Sequence, residues 1–321
     1  MRLRLAAALL LAGAAAASGE QAVITSQNAG AVSFVDPESG AVTATLALPG
    51  KPAAVAVDPS TGQAYVVAVE TALLHVLSPA GVELRRIPLP GAPFGVAVNP
   101  ATHHVYVSDW QGAEIHEVDP ERGAVLRSFA TGAAPSGIAV SVDGALIVTA
   151  DRDANRISLI DAASGAAQSV AVGEHPFGIT LHGGRAFAVN VLSDDVTVVD
   201  LASRRVTASI PVGPHPYALA FAAGRGFVTN QYGESLTVFD ATSLEVLATI
   251  PVGEYPEGIA ATADGRRVLV ANWFSDSLTI LDASSLEILA EVGMPEGPRA
   301  FGSFIGPSPA PPAAAPAQAA R

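Results

Sequence analysis

A proline recurs seven times along the chain, at Pro52, Pro93, Pro135, Pro176, Pro216, Pro256 and Pro298, in steps of 41, 42, 41, 40, 40 and 42 residues. Its surroundings recur as well: "GEHPFGIT" (173–180), "GPHPYALA" (213–220) and "GEYPEGIA" (253–260). A second column sets an acid at the end of an apolar alternation, at Asp36, Asp119, Asp161, Asp200, Asp240 and Asp282, with Ser78 in the remaining copy. A third is a short β-branched or aromatic run: "AVITS", "AYVVA", "VYVSD", "LIVTA", "FAVN", "GFVTN" and "VLVAN". A period near 40 residues means that each copy is one supersecondary unit, which buries its apolar face only against the next copy.

Each copy reads as four short strands, with Val, Ile, Leu, Thr and Phe between turns such as "DPESG", "DPERG", "DAASG" and "ADGR". In such turns the Asp carboxylate accepts backbone amides and Gly takes positive φ. No helical period is visible. Four antiparallel strands per repeat and seven repeats predict an all-β fold, a single seven-bladed β-propeller. Naming the strands of a blade A to D from the proline onward, the chain begins at strand B ("AVITS") and ends with a last strand A ("PRAFGSFIG"). The closing blade is therefore expected to combine strand A from the C-terminal segment with strands B to D from the N-terminal one, leaving no open sheet edge.

The ends fall outside the repeat. "MRLRLAAALLLAGAAAASGE" has two arginines, a short apolar run and small residues suited to cleavage, so residues 1–19 read as a signal peptide and the mature protein as periplasmic or extracellular. The propeller is assigned to 20–306, and the Pro/Ala-rich 307–321 reads as a disordered tail. No cysteine is present, which excludes disulfides, thiolate metal sites, c-type haem and a lipoprotein anchor. Lys and Arg total 17 against 30 acidic residues, a formal net charge of −13, and loss of the leader's two arginines makes it −15. Such a chain, with Lys51 its one lysine, has little attraction for nucleic acid, and no membrane span is expected after cleavage. A monomer is expected.

The units "GFVTNQYGESLTVFDATSLEVLATIPVGEYPEGIA" and "GRRVLVANWFSDSLTILDASSLEILAEVGMPEGPRAF" resemble the YVTN family of β-propeller repeats, found mostly in exported bacterial and archaeal proteins. The resemblance covers 22–306 and implies the propeller fold; it implies no particular activity. "VTN" is intact only at Val228-Thr229-Asn230. The Asn is kept at Asn190 and Asn272, and Ser26, Ala68, Asp109 and Ala150 are aligned with it in the other copies.

In a propeller the D–A and B–C loops surround one mouth of the central channel. The residues flanking each proline are the variable ones there, and they and the B–C loops supply Phe94, Asp109, Trp110, His175, Phe177, His215, Tyr217, Tyr232, Tyr255, Glu257, Trp273 and Arg299 as candidate ligand-binding residues. Eight of the chain's eighteen aromatic residues, both tryptophans included, fall in these loops. That concentration suggests a recognition surface, with wedging between blades as the packing alternative.

His175 and His215 occupy equivalent positions on adjacent blades and are the candidate metal ligands, with Glu254, Glu257, Asp109 and Asp151 as the available carboxylates. No HxH or HExxH spacing supports a metal, and duplication of a loop histidine explains the pair equally. Ser136 in "APSG" lacks a nucleophile elbow. Related propellers include metal-dependent lactonases with Glu, Asn and Asp at the channel, which Asn190, Asn230, Asn272, Glu257 and Asp109 could imitate, although the three asparagines are also the repeat's own column. The expectation is an exported, non-catalytic binding or scaffold propeller without a cofactor, recognising a small molecule, a peptide or a periplasmic protein at the channel mouth. The alternative is a periplasmic metal-dependent hydrolase of the lactonase kind, or an accessory to a periplasmic dehydrogenase, with His175 and His215 holding the metal.

Overall fold

The computed structural model describes residues 19–309, so nearly all of the expected signal peptide and of the expected tail lies outside the described residues. The described chain forms 28 β-strands, numbered β1 to β28 in chain order, and one short 3-10 turn at Arg152–Ala154. They group into seven four-stranded antiparallel sheets, as the repeat predicts. Blade 1 starts with β4 (Pro52–Val57). Blade 2 comprises β8 (Pro93–Val98), β9 (Val105–Asp109), β10 (Glu114–Asp119) and β11 (Ala124–Ala130). Blades 3 to 6 start with β12 (Pro135–Val140), β16 (Pro176–His182), β20 (Pro216–Ala222) and β24 (Pro256–Ala261).

Blade 7 closes the ring by adding β28 (Ile305–Pro307) to β1 (Glu20–Ser26), β2 (Ala31–Val35) and β3 (Val42–Ala47). This closing strand is less regular than expected and runs one residue past Gly306. Pro298 bridges Ser26, and ladder pairing resumes only at Ile305 with Ala22. Between them the chain serves both neighbours: Arg299 N–H donates to Thr25 O (2.8 Å), while Phe301 O accepts from Val55 N–H of blade 1 (2.9 Å). Positive φ at Ala300 (45°) and Gly302 (123°) gives the backbone this crossing path.

Strands B and C are buried nearly throughout, because each is covered on both faces by adjoining blades, whereas an outer strand such as β11 is exposed at every residue but Phe129. The recurrent Asp at the end of strand C has a turn role. Asp240 Oδ1 accepts from Thr242 N–H (2.9 Å) and Ser243 N–H (2.7 Å), and the Ser243 and Thr242 amides hold its carboxyl below its ordinary value.

The Pro-x-Gly frame has a packing cause. Every regular A strand breaks its register just after the proline: at Pro52/Val55, Pro93/Val96, Pro135/Ile138, Pro176/Ile179, Pro216/Leu219 and Pro256/Ile259. The bulge turns the residue after the proline toward the ring axis. The following glycine lets adjacent A strands touch: a Cβ at Gly178 would lie 2.5 Å from Tyr217 O, and one at Gly95 only 2.1 Å from Ser136 O.

Candidate functional site at the channel mouth

The two variable positions around each proline have different destinations. The residue before it lies on the rim in the left-handed region at Lys51 (φ 58°), Ala134 (52°), His175 (53°), His215 (52°) and Tyr255 (55°). That turn presents its carbonyl to the B–C loop: His175 O accepts from Val191 N–H (3.0 Å), His215 O from Gln231 N–H (2.9 Å) and Tyr255 O from Trp273 N–H (3.0 Å). The residue after the proline points inward, and the seven of them are Ala53, Phe94, Ser136, Phe177, Tyr217, Glu257 and Arg299.

These inward side chains plug the channel. Phe94 of blade 2 meets Phe177 of blade 4 edge-to-face at 5.4 Å between centroids, a contact across the ring that only residues at the axis can make. Phe177 packs on Tyr217 at 4.2 Å, and Phe301 lies beneath, 5.1 Å from Phe177 and 5.7 Å from Phe94. Phe177 and Tyr217 are only 7% and 5% exposed. Trp110 packs against Phe94 at 5.1 Å and Trp273 lies under the Arg299 guanidinium at 5.2 Å, so both tryptophans flank the plug.

Arg299 is the polar centre of this assembly. Its Nε lies 2.9 Å from Glu257 Oε2, one terminal nitrogen donates to Gln27 Oε1 (3.0 Å) and the other to the Tyr217 hydroxyl. The guanidinium also sits 5.3 Å from the Phe94 ring centre and 5.8 Å from that of Tyr217. Gln231 Nε2 donates to the other Glu257 oxygen at 2.9 Å. Burial pushes the Glu257 carboxyl up to about 7, with Arg299 and Gln231 drawing it back down. Burial likewise raises the Tyr217 phenol, against the opposing pull of Arg299.

On the rim outside this plug the rings pack in a chain across adjoining blades. His215 stacks on Tyr232 at 3.9 Å, Tyr232 lies 5.7 Å from Tyr255, and Tyr255 lies 4.9 Å from Phe274. Tyr232 is 59% and Phe274 63% exposed. Burial, with Tyr232 and Glu257 nearby, pushes the Tyr255 phenol up to about 12. The candidates therefore divide into a buried plug (Phe94, Phe177, Tyr217, Glu257, Arg299), its flanks (Trp110, Trp273) and an open ridge (His215, Tyr232, Tyr255). His175 stands on the rim apart from these rings, its N–H bound to Asn155 Oδ1 at 2.9 Å.

Asp109 belongs to the Asn column and fastens loops. Its Oδ1 accepts from the amides of Ala92 (2.9 Å), Gln111 (3.1 Å) and Gly112 (3.0 Å). Burial alone would raise this carboxyl, but those amides outweigh it and hold it below its ordinary value. Asn230 does the same work, accepting from Gly213 N–H (3.1 Å) and donating to Ser235 Oγ (3.2 Å) and Thr237 Oγ1 (3.0 Å). The strand register corrects the sequence alignment of this column in blade 3. Pro135 pairs with Asp151 just as Pro93 pairs with Asp109, so Asp151 and not Ala150 holds the position. Its Oδ2 accepts from Gly132 N–H at 2.8 Å.

Beneath the plug the channel is open to the opposite face, that of the A–B turns. A cavity of about 520 Å³ is lined by strand A residues, among them Val96, Val140, Ile179, Leu219 and Ile259, with Phe301 among its walls. This concavity opens at the end of the axis opposite the D–A and B–C loops. Phe301 was readable in the sequence, being the aromatic in a column otherwise made of Val55, Val96, Ile138, Ile179, Leu219 and Ile259. Gln27 and Gln231 carried no such signal.

Among the described residues neither His175 nor His215 joins a group of three ligand-type side chains with atoms within 4.8 Å of one another; the group that meets this spacing is Asp109, Glu114 and His116 in blade 2. No helix among the described residues is long and apolar enough to cross a membrane.

No protein-family model and no curated protein matches the chain. Solved structures do. A functionally unknown protein from Desulfotomaculum acetoxidans superposes with a TM-score of 0.76 at 14% identity, over 90% of this chain and 98% of that one. Kuenenia stuttgartiensis hydrazine synthase gives 0.68 at 19%, over 79% and 90%. Virginiamycin B lyase from Staphylococcus aureus gives 0.67 at 18%, over 80% and 93%. At these identities the likeness establishes the fold, and the chain is a seven-bladed β-propeller.

Proposed function

We propose that this chain is an exported, YVTN-type binding propeller that recognises an extended peptide or a partner protein with the rim of its channel mouth. The observation that carries this reading is the ridge His215–Tyr232–Tyr255–Phe274, whose rings pack at 3.9–5.7 Å, the first pair stacked and the others tilted, while Tyr232 and Phe274 remain more than half exposed. Stacked, half-supported aromatics lose little side-chain entropy on binding and are the residues that dominate interface energies. The plug of Phe94, Phe177, Tyr217 and Arg299 favours a partner that lies across the mouth over a small molecule that enters it. A leader-like start and a net acidic surface agree with export and with no role on nucleic acid.

The test compares wild type with Tyr232→Ser/Phe274→Ser. Both sites are exposed, so the variant is expected to keep the wild-type melting temperature. A partner captured from extracellular or periplasmic extract and rebuilt from purified components should bind the variant at least tenfold more weakly. Equal binding by both proteins rejects the ridge as the recognition surface.

A second reading, a small apolar ligand, is favoured by the axial cavity: about 520 Å³ with Val, Ile, Leu and Ala walls lies within the size range of ligand pockets. Ile179→Glu, which puts a carboxylate into that cavity, should abolish uptake of an apolar fluorescent dye while leaving ridge binding intact.

A further inference from the structure

The Asn column, together with the residues five and seven positions after it, forms one face of each blade's B and C strands. In blades 4, 5 and 6 that face is Asn190–Asp195–Thr197, Asn230–Ser235–Thr237 and Asn272–Ser277–Thr279. In each of these the Asn amide nitrogen donates to both partners, at 2.8–3.2 Å, although the oxygens of Asn190 and Asn272 accept no hydrogen bond. Blade 2 replaces it with Asp109–Glu114–His116. Glu114 pairs directly with Asp109 across β9 and β10, His116 is two residues further along the same face, and Ser128 of β11 lies opposite His116.

The replacement leaves a gap shaped by three ligand atoms. His116 is 1% and Asp109 3% exposed. His116 Nε2 is buried and makes no hydrogen bond, and it faces Asp109 Oδ2 at 3.7 Å and Glu114 Oε1 at 4.0 Å. The amide bonds of Asp109 all go to Oδ1, so Oδ2 is left to face the imidazole. On the other side of the ring, His116 Nδ1 lies 2.8 Å from Ser128 Oγ. With Nδ1–H donating to that hydroxyl, the Nε2 lone pair points at the two carboxylates, which repels them unless a cation lies between. Ligands about 2.0–2.2 Å from a tetrahedral ion stand about 3.4 Å apart; here His116 Nε2 stands 3.7 and 4.0 Å from the two carboxylate oxygens and all three atoms lie within 4.8 Å of one another, a wider set that draws in around an ion.

We infer that Asp109, Glu114 and His116 bind one divalent transition-metal ion of the zinc class, with Ser128 orienting the imidazole from behind. One nitrogen and two carboxylate oxygens suit a borderline cation better than calcium, which takes six to eight oxygens. Three protein ligands leave a fourth position, and the Glu114 side chain, 38% exposed, brings that position to solvent. The ion ties the end of strand B to the start of strand C and so fixes the B–C loop that carries Trp110. His75 of blade 1 is an internal contrast: it holds the position of His116, but Ala68 and Leu73 stand where Asp109 and Glu114 do, and no ion is assigned there.

The experiment uses untagged protein prepared in metal-free buffer and titrated with Zn²⁺ and Co²⁺. One ion per chain is expected, with the visible absorption of tetrahedral Co²⁺ and a melting temperature raised by about 5 °C at a hundredfold excess over Kd. Glu114→Gln and His116→Asn should each weaken Zn²⁺ at least a hundredfold, Ser128→Ala about tenfold, and His75→Asn not at all. Should His116→Asn fail to fold, Glu114→Gln on the accessible side of the site carries the test alone. No saturable uptake overturns the site. Uptake that survives Glu114→Gln undiminished overturns it equally.

Discussion

Glu257 Oε2 lies 2.9 Å from Arg299 Nε at the axis of the ring, on residues that follow the prolines of two adjoining blades. The pair joins the last regular blade to the closing one, where ladder pairing is thinnest. It also fills the mouth, which a sequence reading would leave open for a ligand.

The raised carboxyl of Glu257 gives a pH signature. Its folded value, pushed up to about 7, lies above the unfolded 4.5, so the folded protein holds that proton more tightly. The stability this contributes is complete below pH 4.5 and is lost as pH rises through about 7. Relative to Glu257→Gln, wild type should lose about 2–3 kcal/mol between pH 5 and pH 8, read from urea midpoints at both values. A constant difference would mean that Arg299 keeps the carboxylate ionised throughout.

Removing the cation exposes the other half of the pair. Arg299→Leu leaves Glu257 buried without its partner and strips the face contacts on Phe94, Tyr217 and Trp273. A loss of about 3–5 kcal/mol is expected in denaturant titration. Glu257→Leu added to Arg299→Leu should recover at least half of it, because the desolvated charge is gone. No recovery would assign the loss to ring packing alone.

The Pro-x-Gly frame predicts intolerance of a single methyl. A Cβ at Gly178 would meet Tyr217 O at 2.5 Å and Ala218 Cα at 3.0 Å. Gly178→Ala should cost about 1–3 kcal/mol although it is a small substitution in a strand. Gly184 is the control: it has open space around it but a φ of 74°, so Gly184→Asn, a residue that tolerates that region, should cost much less.

The Asn column predicts a local effect. Asn230→Ala leaves the Gly213 amide to Thr237 Oγ1 at 3.2 Å and deprives Ser235 of its donor. About 2–3 kcal/mol should be lost, with hydrogen exchange at Gly213 accelerating more than exchange in neighbouring blades. Uniform acceleration around the ring would argue against a local staple.

The sequence by itself determined the number of blades, the strands within each and the shared closing blade, since a seven-fold period of proline, acid and β-branched columns admits few other ways to bury its apolar faces. It also marked the mouth residues as unusual. Only the tertiary structure decided what they do. The bulge after each proline turns one flanking residue to the axis and leaves the other on the rim, so Phe177 and Tyr217 are plug while His175 and His215 supply loop carbonyls, a distinction of backbone direction that adjacent letters do not encode. The same holds for Asp109, Glu114 and His116, whose meeting depends on strand register across β9 and β10. In the sequence they are one of two aspartates in a column that also carries three asparagines, and one of two histidines in a column otherwise of serine and threonine; paired across the sheet, their ligand atoms converge within 4.8 Å.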